Sequence, residues 1–450
     1  FSSYNRDMSL KIKGDPMKHI LRFIKNQPPA RLIVAGFFLI ILTGACFLML
    51  PVSLRPGVHT SFLDALFTAT SATCVTGLVT VDPGDTYTVF GRVILALLIQ
   101  TGGLGFTSMG AGLMLATKRR VGFKSRLLLK EALNVDNFRG IVRLLKAILL
   151  TTLIFETVGA LLSFPVFVRD YPPLEAVGIS IFHSISSFNN AGFDILGGGQ
   201  SLIPYQNDIL LNLVTGGLII FGGLGFLVIL DVLRNRSFRK LTLHSKVVIS
   251  TTLTLLIAGT LVFRFTEHMP WIGAFFNSVT PRTAGFATYP INEFSNAGLF
   301  VMILLMFIGA SPGSTGGGIK TSTFFILIQT MRSALNKRHM GAFHRSISPE
   351  NTSRAFLITQ LSLSVVLIGT FLLCLLEPSF EMRQLLFEVV SAFGTAGLST
   401  GITANLHAAS KLLLIFLMFI GRLGAFTIIT MWIERPEQNA RYTEESITIG

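Results

Sequence analysis

Four glycines, Gly77, Gly192, Gly285 and Gly397, stand in closely similar surroundings at wide intervals along the 450-residue chain. Each follows an apolar stretch of about ten residues and a few small polar residues, and an apolar residue comes directly after it. A helix of ten to twelve residues rises roughly 15–18 Å, about half the hydrocarbon thickness of a membrane. The pattern therefore predicts four short helices that enter a membrane, each followed by non-helical backbone that turns back.

Non-helical backbone at membrane depth must be buried in protein or line a polar cavity, because its carbonyls lack helical partners. Four such stretches on one chain predict a shared axis, where carbonyl oxygens replace the hydration shell of a cation. The C-terminal ends of the short helices carry partial negative charge and favour a cation in the same cavity. We call the expected ligands the filter stretches: Val75, Thr76 and Gly77; Asn190, Ala191 and Gly192; Thr283, Ala284 and Gly285; and Thr395, Ala396 and Gly397.

Glycine suits the end of each filter stretch because it adopts positive φ and presents no side chain to the axis. The filter stretches contain no acidic residue. Selectivity that depends on carbonyls rather than on a carboxylate ring favours a monovalent cation over calcium.

The long apolar segment after Gly285 is interrupted by a glycine-rich break at 309–323 that also contains Pro312. This composition cannot sustain a continuous helix cheaply. We predict an intramembrane gating loop across the ion path, in which Lys320 adds an electrostatic barrier and Arg422, at the matching level of the fourth unit, holds the loop through its carbonyls. The alternative is that Lys320 snorkels from a helix start. The predicted gate residues are Gly313, Gly316, Gly317, Gly318, Lys320 and Arg422.

The same break superficially resembles a phosphate-binding loop, but Ile319 occupies the lysine position of that motif and no strand precedes it. Nucleotide binding by this segment is therefore rejected, and we expect no cofactor in this chain. The apolar spans also contain no nucleophile–base pair or metal cluster, which argues against a membrane-embedded enzyme.

Three other polar residues have open roles. Glu156, inside a long apolar span, is either buried against a partner or part of the ion route. His183, in the second short helix, is expected to be a packing residue rather than a metal ligand. Arg282, just before the third filter glycine, either anchors the filter by hydrogen bonds, which we favour, or lies at its outer mouth.

The elements that position these residues are long apolar segments. The chain is 50% hydrophobic and 13% charged, whereas soluble domains have about 25% charged residues. Roughly eight segments approach the ~20 residues that cross a bilayer. We predict an all-α polytopic membrane protein, with four units of two spans joined by a pore helix arranged pseudo-fourfold around one pore. The units are 29–130, 131–240, 241–340 and 341–433, between an N-terminal segment, 1–28, and a tail, 434–450.

Glycines also recur in the second long segment of each unit, at 101–106, 221–226 and 421–426. We expect them to let helices pack closely, and we expect these three segments to continue as helix. The net charge of +14 is concentrated in the first 28 residues and in the segments 118–146, 234–246 and 332–354. This asymmetry predicts that both termini are cytoplasmic. The basic excess thus indicates topology and lipid contact rather than nucleic acid, and it is compatible with a cytoplasmic partner.

The filter stretches, the glycine-rich break and Gly421-Arg422 together resemble the Trk/Ktr/HKT superfamily of potassium transporters, over nearly the whole chain. The most specific pieces are Asn-Asn-Ala-Gly-Phe at 189–193, Thr-Pro-Arg-Thr-Ala-Gly-Phe at 280–286, Ser-Ala-Phe-Gly-Thr-Ala-Gly at 391–397 and Phe-Ile-Gly-Arg-Leu-Gly at 419–424. Within that superfamily the chain is similar to the bacterial membrane subunits of the KtrB/KtrD type.

The resemblance implies a multi-pass subunit of a bacterial plasma membrane that takes up K+ and forms homodimers with one pore per monomer. It implies a cytoplasmic ring of nucleotide-binding regulatory subunits of the KtrA/KtrC type, so that any nucleotide is bound by the partner. Glycine rather than serine at Gly77 implies a preference for potassium over sodium. The break at 309–323 would be the family's gating loop, which the residue matching Arg422 contacts. The first filter, 74–78, follows the family pattern less closely than the others.

Two alternatives stay open at this point. One is a sodium-permeable member of the same superfamily. The other is a coupled secondary cation transporter with broken helices at a midplane site. Such transporters usually have inverted repeats, whereas the short helices here all enter from one side, which favours a gated pore.

Overall fold

The computed structural model describes residues 27–117, 122–132, 140–337, 339–424 and 428. Most of the predicted N-terminal segment, the whole predicted tail and the linker residues Lys118, Arg119 and Arg120 lie outside the described residues. Within the described residues the fold is helical, as predicted, with one two-stranded antiparallel hairpin, β1 (Gly341–Ala342) and β2 (Arg345–Ser346), between the third and fourth units.

The helices follow one another in a repeating order of lengths. They are α1 (Pro29–Leu48), α2 (Phe62–Cys74), α3 (Pro83–Thr86), α4 (Val89–Leu104), α5 (Phe106–Ala116), α6 (Phe123–Ala132), α7 (Ile141–Phe167), α8 (Pro173–Phe188), α9 (Ile209–Leu224), α10 (Phe226–Asn235), α11 (Leu243–Thr266), α12 (Trp271–Val279), α13 (Asn296–Phe307), α14 (Thr321–Leu335), α15 (Pro349–Leu376), α16 (Met382–Gly394) and α17 (Ala408–Leu423). Short 3-10 turns lie at Ile203–Tyr205, Phe238–Lys240, Ile291–Glu293 and Thr403–Asn405.

Four long apolar helices, α1, α7, α11 and α15, each lead into a short helix, α2, α8, α12 and α16. The long helices have 20, 27, 24 and 28 residues, which suffices to cross a membrane, and the short ones have 13, 16, 9 and 13. Each short helix begins at residues that favour a helix N-terminus. These are a Ser61 cap on α2, prolines before α8 and α12, and a Glu381–Gln384 capping box on α16.

The helix that follows the filter stretch differs from the prediction in all three units whose glycine motifs we expected to continue as helix. The helix α4 ends at Gly105, α9 ends at Gly225 and α17 ends at Gly424, and the chain turns by 96° between α9 and α10. The reason is backbone conformation: φ and ψ are 80° and 134° at Gly105, 92° and 139° at Gly225, and 87° and 130° at Gly424, which side-chain-bearing residues rarely adopt. Residues 425 and 426 of the third motif lie outside the described residues. By length and composition, four described helices can cross a membrane, or up to six if each bent pair is one span.

Close packing at the first glycine of each motif is confirmed. A side-chain carbon at Gly102 would overlap the main chain of Thr73 at the end of α2. The same change at Gly222 or Gly421 would overlap a main-chain carbonyl at the end of α8 or α16. Each second helix is therefore fastened, backbone to backbone, to the short helix of its own unit.

The four units close into a ring. The second helix of each unit packs on the short helix of the next: α4 on α8, α9 on α12, α13 on α16, and α17 back on α2. An ion pair between Lys411 and Asp64, with 3.0 Å from Nζ to Oδ1, joins the last unit to the first. The short helices therefore surround a single axis, and their C-terminal ends are the elements that position the filter stretches.

Candidate functional site

The four filter glycines lie around one axis, each facing the unit that follows it. At every one of them an added side-chain carbon would meet the carbonyl oxygen that precedes the next filter glycine, within 3.0 Å. The order closes on itself: Gly77 faces Ala191, Gly192 faces Ala284, Gly285 faces Ala396, and Gly397 faces Thr76. Four segments separated by about a hundred residues are thus brought together, and their backbones are too close to admit any side chain between them.

The direction of the filter stretches is set by the last turn of the short helices. In three units the residue two before the glycine is left-handed: Val75 with φ 58°, Asn190 with φ 58° and Thr395 with φ 50°. The next N–H donates to the carbonyl five residues back, at 2.8, 2.7 and 2.8 Å for Thr76, Ala191 and Ala396. This is the hydrogen bonding of a Schellman cap, which ends a helix and turns the chain sharply.

The third unit reaches the same backbone by a different route. Its helix α12 ends at Val279, and Ala284 N–H donates to the Thr280 carbonyl at 3.0 Å. Thr283 nevertheless has φ 72°, so the left-handed position recurs in all four units.

Three of these left-handed positions carry β-branched side chains, Val75, Thr283 and Thr395. A left-handed conformation costs such residues roughly 1–3 kcal/mol each, and it persists where the surrounding structure over-determines it. Strain repeated at equivalent positions around an axis is typical of functional sites, and the role of these stretches as an ion filter stays a prediction.

Two carboxylate arrangements support the stretches after the filter, and the sequence analysis missed both. Asp85 and Asp82 accept hydrogen bonds from Gly198 N–H and Gly199 N–H of the second unit, at 2.8 and 2.6 Å. A buried Glu388 in α16 accepts hydrogen bonds from residues of the stretch after Gly397, at 2.6 Å from Ser399, 3.0 Å from Thr400 N–H and 2.8 Å from Thr403. A carboxylate in the middle of a short apolar helix was the signal that would have indicated Glu388.

The glycine-rich break is a non-helical segment at 308–320, which we call the third-unit loop. It ends three residues earlier than predicted, because α14 begins at Thr321 with Lys320 as the residue before it. The loop closes on itself through a parallel bridge between Ile308 and Ile319, and a hydrogen bond of 3.4 Å joins Ala310 N–H to the Gly317 carbonyl.

The loop is anchored at the bend between α9 and α10. The last carbonyls of α9 lack helical partners because the helix ends at Leu224. Ser311 N–H donates to the Gly223 carbonyl at 3.0 Å, and Thr315 N–H donates to the Gly222 carbonyl at 3.3 Å. The glycine bend of the second unit thus supplies the acceptors that hold the break of the third.

The centre of the loop contacts two filter stretches directly. Gly317 N–H donates to Thr395 Oγ1 at 3.1 Å. Gly316 lies so close to the Thr283 side chain that an added side-chain carbon would overlap it. The loop therefore crosses the end of the short helices, in contact with the residues that precede two of the filter glycines.

Both predicted basic residues touch loop carbonyls. Lys320 Nζ donates to the Gly316 carbonyl at 2.8 Å. Arg422 donates to the Thr315 carbonyl and also to the carbonyls of Gly102 and Gly103, which are freed by the end of α4. The predicted contact between Arg422 and the loop is present, and its second anchor on the first unit was not foreseen. A role in gating stays a prediction.

Glu156 lies beside the second filter stretch. Asn189, which directly precedes that stretch, donates from its side-chain amide to Glu156 Oε1 at 3.0 Å and to Gln100 Oε1 at 2.9 Å. The half-buried carboxyl group therefore has a polar partner next to the filter, and both interpretations of Glu156, a structural contact and part of the ion route, stay predictions.

His183 and Arg282 are both buried. His183 Nε2 lies 2.8 Å from Thr215 Oγ1, and its ring contacts Phe167 and Phe286, as expected for a packing residue. Arg282 is only 7% exposed and donates to Thr252 Oγ1 at 3.4 Å, so among the described residues its side chain bonds to α11 rather than to a filter carbonyl. Its burial argues against a position at the outer mouth, and the bond to α11 leaves a role in anchoring the filter as a prediction.

Comparisons with known proteins agree with this architecture. The TrkH family, described as cation transport protein, matches residues 32–266 and 246–442. The chain is 40% identical to the potassium/sodium uptake protein NtpJ of Enterococcus hirae, over 95% of this chain and 99% of that protein. It is 37% identical to the Ktr system potassium uptake protein B of Bacillus subtilis, over 96% and 98%.

The fold also matches the crystal structure of the potassium transporter TrkH from Vibrio parahaemolyticus. The TM-score is 0.69 at 18% sequence identity, over 90% of this chain and 85% of that one, which shows a shared fold. Family match, full-length relatives and fold agree: this chain belongs to the TrkH family of cation transport proteins.

Proposed function

We propose that the chain is the ion-translocating membrane subunit of a bacterial potassium-uptake system. The observation that carries the proposal is the closed ring of four filter glycines, each against the carbonyl that precedes the next. Relatives of the chain are named as potassium or potassium/sodium uptake proteins, and these names are the reason why we propose potassium as the transported ion.

In this proposal K+ leaves water and enters a site made of backbone carbonyls. The ligands are the twelve residues of the filter stretches, 75–77, 190–192, 283–285 and 395–397. Carbonyl dipoles replace hydration oxygens, and the negative ends of the four short helices lower the energy of the dehydrated ion. The left-handed residues fix the backbone beforehand, so little reorganisation is needed when the ion arrives.

The membrane arrangement follows from the same units. Each unit contributes two spans, one long helix and the helix after its filter, which gives eight spans with both termini in the cytoplasm. The helices after the filter stretches are bent or broken at their glycines. The membrane tolerates this because the freed backbone groups form hydrogen bonds with other parts of the protein.

The third-unit loop is the gate. It contacts Thr283 and Thr395 on one side and is held by Lys320 and Arg422 on the other. Two positive charges at this level oppose the passage of a cation, and release of the loop removes both the steric block and part of the electrostatic barrier. We further propose a homodimer on a cytoplasmic ring of nucleotide-binding regulatory subunits, since the relative from Bacillus subtilis is named as a protein of a Ktr potassium-uptake system.

A specific observation favours a second candidate, a path that also admits sodium. The relative with 40% identity is named as a potassium/sodium uptake protein. The two candidates share the filter and differ in how strictly it rejects the smaller ion.

The test is ion uptake in bacterial cells that lack their own potassium transporters, with the chain expressed alone and with Ktr-type regulatory subunits. We expect growth on limiting potassium to be restored, and we expect Gly77→Ser to admit more sodium at equal membrane expression. Absence of potassium-dependent rescue with every regulatory partner would overturn the substrate. Equal sodium uptake by the wild type and Gly77→Ser would favour the sodium-admitting candidate.

A further inference from the structure

A short turn of the first unit holds the backbone that continues the second filter. The turn is α3 with Asp82 before it, and the backbone is 193–199, which we call the outer stretch of the second unit. Asp82 Oδ2 accepts a hydrogen bond from Gly199 N–H at 2.6 Å. Asp85 Oδ2 accepts one from Gly198 N–H at 2.8 Å. The bonded residues are 117 and 113 positions apart in the sequence, so these bonds join two different units.

The outer stretch depends on these carboxylates for its shape. Gly197, Gly198 and Gly199 have φ 89°, 72° and 64°, three left-handed residues in succession. Glycine adopts this conformation without steric cost, but it also loses the most conformational freedom when it is fixed. Among the described contacts, the acceptors of the Gly198 and Gly199 N–H groups are the two carboxylates. Hydrogen bonds to an ionised acceptor are roughly twice as strong as bonds between neutral groups, so these two bonds decide where the stretch lies.

The two units also touch main chain to main chain at this place. A side-chain carbon added at Gly84 would lie 2.5 Å from Gly197 N and 2.8 Å from the Ile195 carbonyl oxygen. Arg92 of α4 donates to the Gly84 carbonyl at 2.8 Å and ties the turn to its own unit. Ile195 is the third residue after the filter glycine of the second unit. The turn therefore lies directly against the end of the second filter.

The second unit is joined to the third by a similar contact. Ser201 Oγ accepts a hydrogen bond from Ala287 N–H at 3.1 Å, and Leu202 N–H donates to the Ala287 carbonyl at 3.0 Å. Ala287 is the second residue after the filter glycine of the third unit. In the fourth unit, by contrast, the stretch after the filter is held by Glu388 of the same unit. Asp82 thus stands at the start of a series of contacts that reaches three of the four units.

We propose that Asp82 is a positioning residue for ion selectivity, which fixes the placement of the second and third filter stretches. The inference rests on the proposed function. Discrimination between potassium and sodium depends on the number and placement of the coordinating carbonyls. No helix lies between Ala191 and Gly199 that would isolate the Ala191 carbonyl from a shift of the outer stretch.

Asp82 has the leading part because its two oxygens bond in two directions. Oδ1 accepts hydrogen bonds from Gly84 N–H and Asp85 N–H of its own turn, at 2.7 and 3.1 Å. Oδ2 accepts the bond from Gly199 N–H of the next unit. One side chain therefore shapes the turn and attaches it to the outer stretch.

The contact itself is tested by hydrogen exchange on the purified full chain, comparing the wild type with Asp82→Asn. The amide keeps the shape of the side chain but offers one acceptor oxygen where two are used. We expect amide exchange in residues 196–202 to become about fivefold faster, the factor that corresponds to about one hydrogen bond. The matched control is Asp208→Asn. Asp208 also caps a helix, α9, and its described bonds, to Leu211 N–H and Arg169, stay within the second unit.

Selectivity is tested by potassium and sodium uptake into vesicles that contain equal amounts of inserted protein. We expect Asp82→Asn to lower the potassium-to-sodium ratio by about five- to tenfold. Ser201→Ala removes only the acceptor of the Ala287 N–H, and we expect a shift in the same direction of about two- to threefold. Asp208→Asn is expected to keep the wild-type ratio.

A purely structural role would lower uptake without changing the ratio, and that result for Asp82→Asn would overturn the inference. Exchange in residues 196–202 that matches the wild type would also overturn it. If Asp82→Asn does not insert, Ser201→Ala decides, and an unchanged ratio in that variant contradicts the inference. Faster exchange in Asp82→Asn together with no potassium uptake by the wild type would support the contact and contradict the proposed function, so the two failures are distinguishable.

Discussion

The filter stretches and the third-unit loop are both non-helical backbone near the axis, yet they are fixed in different ways. The filter is built from four units whose main chains touch one another, with left-handed residues locked by helix caps. The loop belongs to one unit and is held by hydrogen bonds to carbonyls freed at helix ends and by two basic side chains. The difference teaches that the filter cannot move without disturbing four helices, whereas a few bonds release the loop.

This comparison predicts that substitutions in the filter stretches abolish ion passage or alter its selectivity. Substitutions in the third-unit loop are instead expected to alter the rate of ion flux. Selectivity and gating would then be separable by mutation. The predictions below run from the largest expected effect to the smallest.

The largest effect is expected at a filter glycine. In Gly192→Ala the new methyl group would lie 2.6 Å from the Ala284 carbonyl oxygen, so it intrudes between two units. We expect potassium uptake to fall by at least about tenfold, which corresponds to about 1.4 kcal/mol. The measurement is potassium uptake per molecule of membrane-inserted protein.

Gly401→Ala is the matched control for backbone strain. Gly401 has φ 92°, compared with 69° for Gly192, but nothing lies within 4 Å of its added carbon. Both variants carry the strain of a left-handed alanine, and only Gly192→Ala crowds the ring. Similar uptake by the two variants would show that strain, not the ring, limits transport.

An intermediate effect is expected at the loop. Lys320→Ala removes the bond to the Gly316 carbonyl and one positive charge. Because a hydrogen bond from a charged group contributes about 1.5–3 kcal/mol, we expect flux to rise by roughly tenfold or more, with unchanged preference between potassium and sodium. Deletion of Gly316–Gly318 is expected to raise flux further.

The control for Lys320→Ala is Lys246→Ala. Lys246 also donates from Nζ to a carbonyl, that of Arg239 at 2.8 Å, but it lies away from the loop. Flux that stays constant or falls in a correctly folded Lys320→Ala protein would contradict the role of the loop as a gate.

The smallest effect is expected at the contact between the two regions. Thr395→Val removes the acceptor of the Gly317 N–H and keeps the shape of the side chain. The equivalent residue of the first unit is Val75, which has the same left-handed backbone, so valine fits there. One neutral hydrogen bond contributes about 1 kcal/mol, and we expect flux to rise by about two- to fivefold with selectivity unchanged.

The reciprocal change, Val75→Thr, tests whether this effect is specific. Among the described contacts the third-unit loop makes no hydrogen bond to Val75. We therefore expect the flux of the Val75→Thr variant to match that of the wild type. A shift in the potassium-to-sodium ratio for Thr395→Val would instead place the Thr395 side chain in selectivity.

Much of this arrangement could be predicted from the sequence, because residues close together in the chain determine it. Small polar residues before a glycine indicate the end of a short helix, and Pro312 with its neighbouring glycines breaks a long one. The contact of Arg422 with the loop was foreseen because Gly421-Arg422 repeats the glycine motif of the other units. In each case nearby residues determine the backbone.

The rest depends on partners far away in the sequence. Gly105 and Gly225 are small residues that a helix can contain, so the sequence alone does not indicate a bend at either of them. The carbonyls that these bends free accept hydrogen bonds from Arg422 and from the third-unit loop. The inward direction of Arg282 could not be predicted either, because its partner Thr252 comes from another helix. Long-range pairing of this kind leaves no periodic pattern in the chain.

The central claim is that the ring of filter carbonyls binds the transported ion. The most direct test is anomalous diffraction from crystals of the full chain grown with thallium, which replaces potassium. The account predicts an anomalous peak on the axis, surrounded by the carbonyls of Thr76, Ala191, Ala284 and Ala396, and its loss when sodium alone is present. Thallium bound elsewhere in the protein, with an empty axis between the four glycines, would contradict it.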